Sequence, residues 1–273
     1  MSLLADMAVA SRTRCDASLA RVPRSTLEER ALALPKPPPL RVGPRFDVIA
    51  ECKRRAPSEG VLSSGEADPA RSVAERATVY AGAGAAAVSV LTEPERFDGA
   101  LHHLQAATPA LNELGVPAMR KDFLVDPYQV YEARLAGAGG VLVIVRMLDD
   151  ATLDALLAAA AACELFVLLE AFDADDLKRA SRLVEAWATR VTLLVGVNTR
   201  DLVTLRVDAD RLARLAPALP DCVPCVAESG LRTPEDAYAV SRLGYRMALV
   251  GSALMKAPEP GALVARMLEA GRS

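Results

Sequence analysis

From residue 48 onward the chain repeats one alternation eight times: a short run rich in Val, Ile and Leu, bounded by turn residues, then a stretch with helical periodicity. The runs are Val48–Lys53, Ala86–Leu91, Ala118–Asp122, Val141–Val145, Phe166–Ala171, Leu193–Asn198, Cys225–Ser229 and Met247–Gly251. Strands covered on both faces read as near-continuous apolar runs, because neither face meets water. Most of the intervening segments open on Asp or Thr and several close on Gly or Pro, as in DPARSVAERATVYAGAG, DPYQVYEARLAGAG and TPEDAYAVSRLG, which are helix start and stop signals. Eight strand–helix units predict an α/β chain closed into a (β/α)8, or TIM, barrel. An open doubly wound sheet is the alternative. That fold carries fewer strands and a Gly-rich phosphate loop after the first, and no GxGxxG or Walker sequence occurs here.

The first 47 residues contain an alanine-rich amphipathic stretch up to about Val22. A second short helix is expected to begin at Ser25, with Glu28 at the capping-box spacing, and to end at Pro35-Lys-Pro-Pro-Pro39. Residues 1–47 are therefore expected to form an N-terminal helical extension packed on a catalytic barrel that spans 48–273, a single domain overall.

Composition narrows the partners. The chain has 273 residues, 52% of them apolar, which suffices for one sizeable core. A net charge of -3 leaves no basic footprint for nucleic acid or an anionic membrane surface. The longest strictly apolar run, Ala155–Cys163, is far short of the roughly 20 residues that cross a bilayer. The opening MSLLADMAVASR has no basic region ahead of an apolar one, so no secretory signal is expected and the location expected is cytoplasmic. Five scattered cysteines read as thiols. Cys222-Val-Pro-Cys225 has no second pair, and His102 and His103 are the only histidines, so no four-ligand zinc site and no metal is expected. The two histidines read as solvated residues of a surface helix or loop.

Charged side chains are out of place in buried strands, where they cost several kcal/mol to desolvate unless paired or at work. Residues two apart in a strand share a face, so Glu51 and Lys53 point with Ile49, away from Ala50 and Cys52. The same parity joins Lys121 to Met119, Glu170 to Leu168, Asn198 to Gly196 and Glu228 to Val226. Each polar residue stands last or nearly last in its run. A TIM barrel gathers its active site at that end of its strands, so Glu51, Lys53, Lys121, Glu170, Asn198 and Glu228 are expected to converge in one cavity. The bland alternative is a salt-bridge network that fills the top of the barrel. The seventh and eighth units place Gly and Ser directly after a strand, in Glu228-Ser-Gly-Leu and Val250-Gly-Ser-Ala. Loops after strands 7 and 8 are the usual phosphate site of this fold, so a phosphorylated small molecule is the expected ligand. From the residues alone the reaction is left as that of a phosphate-ligand lyase or isomerase using Lys and Glu.

The segments IAECKRRAPSEG (49–60), VSVLTEPERFDG (88–99), RKDFLVDPYQVYEAR (120–134), LLEAFDADDL (168–177), VGVNTRDL (195–202), AESG (227–230) and LVGSALM (249–255) resemble the indole-3-glycerol phosphate synthase family. The likeness covers nearly the whole chain from Ile49 onward, and RKDF followed by DPYQ is its sharpest signal. It implies a carboxy-lyase of tryptophan biosynthesis that needs no cofactor. Such an enzyme closes 1-(2-carboxyphenylamino)-1-deoxyribulose 5-phosphate to indole-3-glycerol phosphate with release of carbon dioxide and water. The resemblance further implies that Lys121 is the general acid, that Glu170 moves a proton during dehydration, and that Lys53, oriented by Glu51, meets the substrate carboxylate. Asn198 and Glu228 would hold hydroxyl groups and the lysines, with Ser58 and Arg200 as further contacts. Phe123 and Leu142 or Ile144 would wall the aromatic ring. The phosphate would sit on Ser229, Gly230, Gly251 and Ser252. Association with other enzymes of the tryptophan pathway is a further implication. The family's usual Ser-Pro-Ser-Lys-Gly loop is here Ala56-Pro57-Ser58-Glu59-Gly60, and Thr199 and Phe172 stand where many members have Asn and His. The rival readings are another phosphosugar-binding barrel, such as an isomerase with a Cys–Asp or Asp–Asp pair, and a non-catalytic barrel that binds a phosphometabolite.

Overall fold

The alternation along each strand sorts apolar side chains onto two faces, and in the folded chain those faces belong to two separate cores. The computed structural model describes residues 3–63, 67–201 and 204–273. Its barrel strands are β1 (Asp47–Cys52), β2 (Ala87–Leu91), β3 (Ala118–Lys121), β4 (Gly140–Ile144), β5 (Phe166–Ala171), β6 (Leu193–Asn198), β7 (Cys225–Glu228) and β8 (Met247–Val250). Each runs parallel to the next, and β8 pairs back on β1 with Val250 beside Ala50, which closes the barrel. Ile49, Met119, Leu142, Leu168, Leu194, Val226 and Leu249 fill its interior. Val48, Ala50, Val88, Val143, Val167, Leu169, Val195 and Ala248 face outward and pack against helix residues such as Ala77, Leu104, Leu156 and Val264. Closure removes every sheet edge, so this chain is a TIM barrel and the open-sheet alternative falls away.

The predicted strands sit within a residue of the observed ones. Lys53, Asp122, Ser229 and Gly251 fall just beyond their ladders, and Val145 opens a short 3-10 turn, Val145–Met147. The helix signals also map directly. Asp68, Asp126, Asp149, Asp173 and Thr233 each accept a backbone N–H of the following helix, with Thr233 and Asp236 forming a full capping box. Each such cap stabilises its helix by about 1 kcal/mol.

The N-terminal helices, Leu3–Leu19 and Arg24–Leu32, lie against the helix Pro127–Leu135 that follows β3. Tyr128 donates its hydroxyl to the Ser18 and Val22 carbonyls at 3.1 and 3.2 Å. Arg12 and Arg24 both pair with Asp126, at 2.8 and 2.7 Å. The expected capping box at Ser25 is corrected here. The helix begins at Arg24 behind Pro23 with no side-chain cap, and Glu28 instead accepts the Tyr131 hydroxyl at 2.8 Å. The solvated reading of the histidines also needs correction. His103 is buried on the inner side of the helix Leu101–Glu113, where desolvation pushes its pKa down to about 4, and only His102 is exposed. Among the described residues no helix is long and apolar enough to cross a membrane.

Inside the barrel one small residue makes room for one large one. A methyl on Gly140 would lie 2.3 Å from the Phe166 ring, its neighbour in the β4–β5 register. Gly140→Ala is therefore expected to destabilise the protein by about 1–3 kcal/mol through overpacking, measured as a lower urea midpoint. Adding Phe166→Leu should return most of that loss, because the two changes compete for one volume. Strictly additive effects would show that glycine and ring do not share it.

Candidate active site

Strand parity delivers five polar side chains to the C-terminal mouth of the barrel, each from a different strand. Glu51 stands on β1, Lys121 on β3, Glu170 on β5, Asn198 on β6 and Glu228 on β7, and Lys53 follows one residue after β1 ends. Glu51, Glu170, Asn198 and Glu228 are buried, and Lys121 exposes only 16% of its side chain. Lys53 Nζ lies 3.0 Å from Glu51 Oε1, and Lys121 Nζ lies 3.8 Å from Glu170 Oε1. Asn198 donates from Nδ2 to that same Glu170 oxygen at 2.6 Å, while its own Oδ1 accepts the Arg200 N–H at 2.9 Å. The amide thus holds Glu170 from one side and fixes the turn that presents Arg200 from the other.

Burial and pairing act in opposite directions on these groups. For Glu51 desolvation favours the neutral form, but the ammonium groups of Lys53 and Lys121 outweigh it and hold the carboxyl below its usual range. Lys121 is likewise desolvated, yet the Glu170 and Glu51 carboxylates raise it above an ordinary lysine, so it is an ammonium throughout the neutral range. Glu228 goes the other way. Its burial, and then the charge of the adjacent Glu170 carboxylate, push it well above the usual carboxylate range, and its protonated form can share its hydrogen with Glu170. A buried acid that lines a cavity beside a second carboxyl is a candidate to meet a ligand.

All the side chains named from sequence line one cavity of about 570 Å3. Phe123, Leu142 and Ile144 form its apolar wall, and Phe97 adds a second ring 6.3 Å from that of Phe123. Ser229, Gly230, Gly251 and Ser252 also line it, with Gly251 beside Glu51 and Lys53. Ser229 and Gly230 both have left-handed backbone, φ 66° and 81°, which turns the chain sharply out of β7. For a non-glycine such as Ser229 that conformation costs roughly 1–2 kcal/mol, and strain of this kind gathers at ligand sites. Ser58 and Arg200 meet over the mouth, with Arg200 Nη1 donating to Ser58 Oγ at 2.6 Å. Glu59, from the same loop, accepts the Ser252 hydroxyl and the Lys256 ammonium.

Several roles within the site were not assigned from sequence. Gly196 faces the interior opposite Glu170, and a methyl there would sit 2.0 Å from Glu228 Oε1, so the bare strand makes the space in which Glu228 lies. Gly251 has a similar duty, because a methyl on it would lie 2.3 Å from Glu51 Oε1 and 3.0 Å from Lys53 Nζ. Thr199 ties the ends of β6 and β7 together by donating to the Glu228 and Ser229 carbonyls, both at 3.1 Å. Phe97 could have been noticed as an aromatic just after β2. The space-making role of the two glycines carried no local signal, because it comes from strands that become neighbours only on closure. Cys52 faces the helices, where burial pushes its thiol up to about 12, so it is not a candidate base. Among the described residues no group of three or more His, Cys, Asp or Glu side chains could hold a metal ion.

Residues 40–267 match the family model described as indole-3-glycerol phosphate synthase. A protein of that name from Parafrankia sp. (strain EAN1pec) is 43% identical over 98% of this chain and 92% of its own length. Another, from Mycolicibacterium gilvum (strain PYR-GCK), is 40% identical over 94% and 91%. Among solved structures, a tryptophan synthase from M. tuberculosis superimposes with a TM-score of 0.57 at 19% identity, covering 86% of this chain and 99% of that one, a likeness of fold alone. With a family match that spans the barrel and relatives aligned over nearly its full length, the chain belongs to the indole-3-glycerol phosphate synthase family.

Proposed function

We propose that the cavity converts 1-(2-carboxyphenylamino)-1-deoxyribulose 5-phosphate into indole-3-glycerol phosphate, carbon dioxide and water, with the work divided among the residues above. The ring carbon that bears the carboxylate attacks the ketone carbon, and the carbonyl oxygen gathers negative charge as the new bond forms. Lys121, an ammonium held at the inner end of the cavity, gives that oxygen a proton. The ring nitrogen becomes positively charged in the same step, and Glu170 lies on the side where a carboxylate stabilises it. Such fixed charges act strongly because they need no reorganisation during the reaction. Loss of carbon dioxide restores the aromatic ring. The hydroxyl group then takes a second proton, from the Lys53 ammonium, and leaves as water, while Glu170 takes the proton released from the neighbouring carbon as the second double bond of the indole forms.

Lys53, held by Glu51, meets the substrate carboxylate before it departs. Arg200 and Ser58 flank the same end. Phe123, Leu142 and Ile144 hold the aromatic ring flat so that its carbon faces the ketone, an orientation effect on the barrier. Glu228, whose protonated form is favoured by burial and by the Glu170 charge, meets a substrate hydroxyl. Ser229, Gly230, Gly251 and Ser252 receive the phosphate and so place the ketone beside Lys121. The observation that carries this reading is the facing of Lys121 and Glu170 at 3.8 Å in a half-apolar cavity whose lining also offers hydroxyl groups and bare backbone. On the same reading the enzyme works in the cytoplasm on a free small molecule, alone or beside other enzymes of the tryptophan pathway.

Turnover followed by the fluorescence of the indole product tests the assignment. Lys121→Met is expected to lower kcat by about 10²–10⁴-fold, the usual worth of a positioned general acid, with a much smaller change in KM. Glu170→Gln should also act mainly on kcat. Wild-type protein that binds this substrate without turning it over would favour a binding role instead.

The environment of Glu228 gives a prediction about pH. An acid whose folded pKa is raised costs stability once the unfolded chain ionises, so the cost is absent below about pH 4 and grows as pH rises toward the folded value. Glu228→Gln removes it. The variant is expected to resist urea better than wild type at pH 7–8, with the difference shrinking toward pH 4. Equal urea midpoints across that range would mean that Glu228 is ionised in the folded protein.

A further inference from the structure

The loop that leaves β1 folds into a small ribbon, Arg55–Ala56 paired with Gly60–Val61, whose turn carries Glu59. Glu59 reaches back over the mouth of the barrel rather than out to solvent, and its side chain is 22% exposed. One of its oxygens accepts the Ser252 hydroxyl and the other accepts the Lys256 ammonium. The Arg200 guanidinium stands 3.8 Å away. Those two hydrogen bonds and the positive charge of Lys256 outweigh its partial burial and hold the carboxyl below the ordinary range, so it is an anion at neutral pH.

A hydroxyl, an ammonium and a nearby guanidinium converging on one anion form the donor set that a phosphate monoester would use. We propose that Glu59 is an internal anion that occupies part of the phosphate corner in the unliganded protein, so that the substrate's phosphate must displace it to bind. This rests on the reading that Ser252 and its neighbours hold the phosphate. A carboxylate and a phosphate cannot both take the Ser252 hydroxyl, and their like charges repel at such range. The displaced Glu59 carries its loop with it, and because Ser58 of that loop holds Arg200, exchange of one anion for the other also resets the carboxylate end of the cavity. Glu59 is thereby a determinant of substrate affinity. The apparent dissociation constant equals the intrinsic one divided by the fraction of time the corner is open, so a carboxylate present nine-tenths of the time weakens binding about tenfold.

The test compares the full-length wild type with Glu59→Gln, which keeps the shape and removes the charge, and with Ser252→Ala. Inorganic phosphate is titrated calorimetrically into each protein, and KM is measured for the carboxyphenylamino sugar phosphate. Glu59→Gln is expected to bind phosphate about five- to tenfold more tightly and to lower KM in parallel, whereas Ser252→Ala should weaken both. The sign is decisive, because a Glu59 that merely held its loop in a working position would raise KM when neutralised. Unchanged or weaker phosphate binding in Glu59→Gln, or a KM that stays level or rises, overturns the proposal while a loss in Ser252→Ala leaves the phosphate corner standing. Unchanged affinity in Ser252→Ala overturns the corner itself and the proposal with it.

Discussion

Two lysines and three glutamates share the mouth of one barrel, and mutual pairing is the condition on which any of them can be there. Each ion alone would cost several kcal/mol to bury. Lys53 with Glu51 and Lys121 with Glu170 offset that cost in pairs, and Asn198 adds a hydrogen bond to the second pair. Among the described residues Glu228 has no cation at hydrogen-bond distance, and burial beside Glu170 shifts it toward the protonated form. The result is a pocket in which an ammonium, a carboxylate and an acid of raised pKa stand within reach of one small molecule. Acid–base chemistry with developing charge of both signs requires such a set.

The backbone had to yield for this cluster to fit. Gly196 and Gly251 contribute empty space on two strands, and that space is filled by Glu228 in one case and by Glu51 and Lys53 in the other. A side chain at either position would push a charged group out of the cavity. Ser229 accepts a strained left-handed conformation at the exit of β7, held there by the Thr199 hydroxyl on its carbonyl. Lower in the barrel Gly140 yields to Phe166 in the same way, for packing rather than chemistry. Alternating bulk and absence lets a closed ring of eight strands hold both a dry core and a polar mouth.

Outside the barrel a second polar network supports the first. Arg120 points outward from β3 between the inward Met119 and Lys121, and it binds Asp122 at 3.1 Å and the Gln129 carbonyl at 2.9 Å. Asp122 also receives Thr92, Arg14 of the N-terminal helix and the backbone N–H of Phe123. The helical extension is thus bonded to the residue that lies between Lys121 and Phe123. This gives the RKDF segment a physical content, in which the outward residues clamp the strand end and the inward ones face the ligand.

Much of this was legible in the chain. The eight apolar runs, their parity and the polar residue at the end of five of them are local properties, and hydrophobic burial leaves little choice about which face turns inward. The Asp and Thr caps were legible for the same reason, since a cap bonds residues only two or three away. What could not be read locally depends on which distant segments become neighbours when the barrel closes. Glu28 matched a capping box by spacing, yet a tyrosine from another helix took its carboxylate. His103 read as solvated until its helix was packed. The need for glycine at 196 and 251, the raised pKa of Glu228 and the seating of Glu59 on Ser252 and Lys256 exist only across strand and loop pairs far apart in sequence. The sequence by itself determined the strands, their faces and the kinds of group at the mouth, because period and burial act within a few residues. Distances, protonation states and the occupant of the phosphate corner were decided by tertiary structure, because electrostatic energy depends on separation and solvent exclusion, and both are defined only once the ring is closed.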